Sequence, residues 1–170
     1  MITPGYVTEM AAYTRWQNDT VYQICDEIGP EERQRKRGMF FGSIHHTLDH
    51  ICKVNRTIFT FLDGKMPERT PSDQIVWPDW EELKETRLMQ DDALSTGGRD
   101  WIESWLAERV TMQTAEPDDP PMPPRWVMVT QSFNHQSHHR SQVTSALHGM
   151  GIKYGNTDIP WRPGAGFFAG

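Results

Sequence analysis

Cysteine is scarce in this chain. Cys25 and Cys52 are the only two among 170 residues, and they form neither a CxxC pair nor a zinc-finger spacing. A thiolate-built zinc site is therefore excluded, and neither thiol has a base nearby in sequence that would mark it as a nucleophile. Positive charge is also short. Seventeen Lys and Arg against 23 Asp and Glu leave a net charge of −6, without the basic face that binding to nucleic-acid phosphates requires. The dense basic run is ERQRKR from residue 32, preceded by Glu31, and it reads as the solvated start of a helix. No apolar run approaches the ~18 residues of a membrane span, and no signal-peptide pattern precedes the first polar residues. The expectation is a cytoplasmic protein with reduced thiols, bound to neither membrane nor nucleic acid.

What is present is helical periodicity. Four segments carry it and none reads as a strand, so the expected class is all-α, a four-helix bundle in a single domain over residues 1–170. The first segment spans 8–28 and stops at Gly29-Pro30; the second spans 30–62. Ile44, Leu48, Ile51, Val54, Ile58 and Leu62 form its apolar stripe. A polar linker over 65–78 leads to a third helix starting near Asp79, with a kink or break at Gly97-Gly98 before Trp101 and Trp105. The loop AEPDDPPMPPR contains five prolines and is not regular helix. The fourth helix spans 126–148. The tail, 151–170, is rich in Gly and Pro but contains Trp161, Phe167 and Phe168, and is expected to pack back on the bundle.

Six of the seven histidines fall in two short stretches, SIHHTLDH from Ser43 and FNHQSHHRSQ from Phe133. On a helix, residues three or four apart share a face, displaced by ~60° or ~40°, so His135 can pair with His138 or with His139. His135 and His139 lie along Met128, Ser132, Gln142 and Ala146, bordering the apolar side. His138 lies with Asn134, Ser141 and Ser145, further from it. The facing favours His135 with His139 and keeps His138 as the alternative. In the second helix His50 falls within the apolar sector, whereas His45, on the side of Asp49 and Arg56, and His46 are placed near solvent or a helix edge. Three neutral imidazoles suit zinc, nickel, iron or cobalt. No Glu stands three residues before a His and there is no HExxH, so neither a ferritin-like di-iron site nor a zinc-protease site fits. GxSxG and P-loop motifs are absent as well.

The string FNHQSHHRSQVTSALHGMG resembles the closing-helix motif, of NHxxHHRGQ type, of the DinB/YfiT-like metalloenzyme family. GSIHHTLDHICKVNRTIF is similar to that family's second-helix motif with its TLxH histidine, and YTRWQND resembles its opening helix. The likeness spans most of the chain, with two departures: Ser141 stands where the family has glycine, and Asp49 where it has asparagine. The resemblance implies an up-down-down-up bundle, often dimeric, with one divalent metal held by His50, His135 and His139. Zinc or nickel comes first, with iron, cobalt or manganese as further candidates. It also implies a metal-dependent enzyme such as a transferase that uses a low-molecular-weight thiol. A metal-hydroxide hydrolase and a non-catalytic, stress-related metal- or ligand-binding bundle are the alternatives. Asp49 is expected to face water, and Asn134, Arg140 and Gln142 to bring hydrogen-bonding groups near the ligands. Seven tryptophans and nine methionines, more than a modest core hides, add to the expectation of a symmetric homodimer.

Overall fold

The computed structural model describes residues 1–113 and 121–166. It contains helices α1 (Pro4–Gln34), α2 (Ile44–Leu62), α3 (Trp80–Asp100), α4 (Glu103–Ala107) and α5 (Arg125–Gly149), and a 3-10 turn at Ile159–Trp161. Most of the proline-rich loop, residues 114–120, lies outside the described residues, as do Phe167 and Phe168.

Local signals set most of the ends. The Thr3 hydroxyl accepts the Tyr6 N–H at 3.2 Å and Pro4 opens α1, a favourable first helical position. Ser43 caps α2 by accepting from the His46 N–H, and Asp79 caps α3 by accepting from Glu81 and Glu82.

Two expectations are corrected. The second helix does not begin at Pro30. Gly29, at φ 78°, kinks α1, which resumes for one turn to Gln34, and residues 35–43 form a connection. Gly38 and Gly42 take positive φ there, at 69° and 82°, conformations that an L side chain resists. The basic run therefore closes a helix rather than opening one. Arg33 in it is buried, donating to the Cys25 carbonyl at 2.7 Å with its guanidinium over the Trp80 ring.

Nor does α3 break at Gly97-Gly98; it runs on to Asp100. These glycines serve close approach. A Cβ on Gly97 would lie 2.5 Å from the Trp101 ring, and one on Gly98 2.9 Å from Thr8 Cα.

Contacts between helices fix the topology. Thr8 bonds the Gly98 carbonyl at one end of α1 while Asp26 accepts from Trp80 at the other, so α1 and α3 are antiparallel. Asn55 with Ser132 and Phe41 with His139 make α2 and α5 antiparallel too. Tyr6 meets Phe133, and further along Asn18 meets Arg140, so α1 and α5 run parallel. His45 beside Trp80 and Cys52 with Gln90 make α2 and α3 parallel. The bundle is up-down-down-up.

Two apolar clusters occupy its ends. Val21, Ile44, Leu48, Leu83, Val143 and Leu147 belong to one, and Val7, Leu94, Leu106, Val129 and Phe133 to the other. Between them lies a belt of buried polar side chains, including Asn18, Asn55, Arg87, Asp91, Gln136 and Arg140. Such groups are tolerated in a core when they bond one another. The described part of the tail lies on α1: the Tyr13 hydroxyl donates to the Thr157 carbonyl at 2.8 Å, Gln17 to Asn156 at 3.0 Å, and Arg162 pairs with Glu9.

Candidate metal centre

The antiparallel crossing of α2 and α5 brings His50 against His135 and His139, residues separated by more than eighty positions in sequence. His50 Nε2 lies 3.1 Å from His135 Nε2. Ring centroids are 4.8 Å apart for His50 and His139, and 4.4 Å for His135 and His139. One donor nitrogen from each of the three lies within 4.8 Å of the others. His138 is exposed, its ring beside that of His139 and outside the group. His148 is exposed at the end of α5.

Burial sets the protonation. It pulls the pKa of His50 down to about 3 and that of His135 to about 4, and neighbouring imidazoles add to the effect. His139 is lowered as well, again chiefly by burial. All three are neutral at pH 7, with lone pairs to offer. His139 Nδ1 lies 2.9 Å from Gln142 Oε1, so it donates there and leaves Nε2 as the lone-pair nitrogen. Two imidazole nitrogens bound tetrahedrally to one zinc-sized ion at ~2.1 Å lie ~3.4 Å apart. The 3.1 Å between His50 and His135 is near that spacing, and the residues fit a divalent ion.

Phe41 covers the group. Its ring stacks on His50 with centroids 4.0 Å apart and lies 5.5 Å from both His46 and His139. The turn that carries Phe41 has a cleft on each side. One, of about 300 Å³, is lined by Lys36, Phe41, His46, Ile75 and Pro78; the other, of about 370 Å³, by Arg37, Phe40, Gln142 and Ala146. Sequence periodicity had no hold on Phe41, which lies in a connection. A pair of adjacent phenylalanines between two glycines is the signal that marks it.

Other expected placements are corrected. His45 is 3 % exposed rather than near solvent, and its Nε2 lies 2.8 Å from the Trp77 carbonyl. Asp49 does not face water; it is fully buried and its Oδ1 accepts the N–H groups of Val76 and Trp77 at 2.9 and 2.7 Å. Lys53 follows on the same side of α2 and donates to the carbonyls of Pro71, Ser72 and Gln74. The 71–77 segment crosses this face and turns a polar edge into an interior. Of the three groups expected near the ligands, Gln142 alone touches one. Asn134 is exposed, and Arg140 points into the bundle, donating to Asn18.

Both cysteines are free and buried, with burial pushing each thiol up to about 12. Neither is a thiolate near neutral pH. Among the described residues no helix is long and apolar enough to cross a membrane.

Comparison with the curated proteins and with the solved structures gives no match. The model of the DinB family matches residues 1–165. With its four long helices and the histidines brought together between α2 and α5, the chain belongs to the DinB family.

Proposed function

We propose that His50, His135 and His139 hold one divalent metal ion, zinc or nickel ahead of iron, cobalt or manganese, and that the centre serves a transferase using a small thiol. The observation that carries this reading is the donor set. Three imidazoles converge, and among the described residues no carboxylate or thiolate joins them. Three protein donors are the pattern of catalytic rather than structural zinc. When bound, such an ion supplies Lewis acidity that keeps a thiol or a water ionised near neutral pH.

The chain's own residues supply the rest. Gln142 holds the His139 tautomer. Phe41 keeps bulk water off the imidazoles and offers an apolar face to a substrate. Lys36, lining one cleft, favours an anionic thiol or acceptor, whereas Arg37 in the other is already paired with Glu32. The reading includes a symmetric homodimer, supported by the exposed Leu88, Met89 and Ile102. A light-scattering mass equal to the 19.7 kDa monomer at micromolar concentration removes that part.

Cobalt substitution tests the centre. Glutathione added to the cobalt protein is expected to produce an intense near-ultraviolet sulfur-to-metal band in the wild type and in His138→Ala, but not in His135→Ala. Loss of cobalt from His138→Ala but not from His139→Ala overturns the ligand set. A spectrum perturbed by azide or phosphate and not by thiols favours hydrolysis. One perturbed by nothing assigns the metal a structural role.

A further inference from the structure

One charge in the polar belt lacks a counter-charge. Arg140 is 4 % exposed. Its Nη1 donates to Asn18 Oδ1 at 3.2 Å and its Nη2 to Ser137 Oγ at 3.3 Å, both long bonds to neutral acceptors. The belt's buried carboxylate, Asp91, is taken up elsewhere: Arg87 donates to it at 3.1 Å and Asn18 at 2.9 Å. Asn18 thus stands between Arg140 and Asp91. Among the described residues the ion pairs of the belt join Arg87 to Asp19 and Asp91 and leave Arg140 out. A buried cation without a paired anion carries an unfavourable desolvation energy.

Arg140 lines a cleft of about 170 Å³ between α1, α5 and the tail, together with Tyr13, Gln17, Ser137, Thr144 and Thr157. The lining contains no carboxylate. Three of its hydroxyls are already committed, Tyr13 donating to the Thr157 carbonyl, Thr144 to that of Ser141 and Ser141, also in the lining, to that of His138. Other donors remain available. A guanidinium has five N–H groups, of which Arg140 spends one on Asn18 and one on Ser137 and turns another toward Tyr13, whose ring centroid lies 5.7 Å from the guanidinium carbon. The Ser137 hydroxyl accepts from Arg140 and keeps its own proton to give. Gln17 Nε2 spends one of its N–H groups on Asn156, leaving the other.

We infer that this cleft binds a small carboxylate anion, gripped by the planar fork of Arg140 with Ser137 and Gln17 completing the contacts. A guanidinium matches a carboxylate through two parallel bonds, and the narrow cleft excludes a bulky ligand. The site is distinct from the histidine group. Consecutive residues on a helix point ~100° apart, so His139 faces α2 while Arg140 faces α1.

The test uses EDTA-treated full-length protein, which removes any metal as a competing anion site. Acetate, and separately inorganic phosphate, is titrated at constant ionic strength against chloride, and binding is followed by calorimetry and by the thermal midpoint. Acetate is expected to bind saturably and raise the midpoint above the chloride control. Arg140→Gln is expected to weaken acetate binding at least tenfold. Thr144→Glu places a tethered carboxylate in the cleft without disturbing any bond between α1 and α5. It is expected to raise the midpoint with no acetate present and to abolish the acetate response, so the test survives if Arg140→Gln fails to fold. No saturable acetate effect in the wild type overturns the inference. So does an undiminished effect in Thr144→Glu, and binding of phosphate without acetate overturns the carboxylate assignment.

Discussion

Asp49→Ala is expected to release the segment that crosses the polar face of α2. The carboxylate is fully buried and its Oδ1 accepts two backbone N–H groups, from Val76 at 2.9 Å and Trp77 at 2.7 Å. A hydrogen bond to a charged partner contributes ~1.5–3 kcal/mol net, so two such bonds contribute about 3–6 kcal/mol. Two effects reduce that figure. Val76 and Trp77 are only half-buried, so their freed amides regain water, and the substitution also removes Oδ2, a buried oxygen without a protein partner. The expected net loss is about 2–4 kcal/mol. With a urea slope of ~2 kcal/mol/M, the unfolding midpoint falls by about 1–2 M at unchanged slope. Asp49→Asn keeps one acceptor oxygen and is expected to lose about half as much. Metal affinity, measured by competition with a chromogenic chelator, is expected to hold, because no bond joins Asp49 to the His50 ring. A midpoint within roughly 0.3 M of the wild type in Asp49→Ala would refute the claim that these bonds hold the segment.

The proton dependence of the metal-free protein follows from the depressed imidazoles. Folded His50 and His135 protonate only near about 3 and about 4, against an ordinary 6.5, so below pH 6.5 the unfolded chain takes up protons that the folded chain refuses. Their contribution to stability is full above pH 6.5 and is lost as pH falls from there toward 3; His135→Gln is expected to flatten the urea midpoint's fall between pH 7 and 4.5, and an identical fall in both proteins contradicts this. Gln142→Leu removes the acceptor that orients His139 and is expected to weaken metal binding by about 10–100-fold, while the thermal midpoint of the metal-free protein stays near the wild type. Unchanged affinity by chelator competition refutes that role.

How far the sequence reaches can be judged from particular residues. The stripe through Ile44, Leu48, Ile51 and Ile58 is apolar at helical spacing and is buried in the structure. Asp79 before Glu81 and Glu82 marked the start of α3. Glycine and proline were less readable. Gly97 and Gly98 carry the same letters whether a helix ends there or another side chain needs the space, and only the positions of Trp101 and Thr8 decide between the two.

The three histidines divide along the same line. Helical spacing allows His135 to share a face with either His138 or His139, and it is the position of the apolar side that favours His139, which stands with His135 while His138 points to solvent. That the His50 Nε2 comes 3.1 Å from His135 is the work of the α2–α5 crossing, which no local pattern encodes. The polar side of α2 shows the limit most plainly. His45, Asp49 and Lys53 recur every four residues and have the polarity of a solvent face. The linker supplies backbone partners for all three, and a polar group with its partners in place can be buried. Periodicity determined that these side chains share one face of the helix. Whether that face met water or chain was decided by the path of residues 71–77, because burial of a polar group depends on partners brought from elsewhere in the chain.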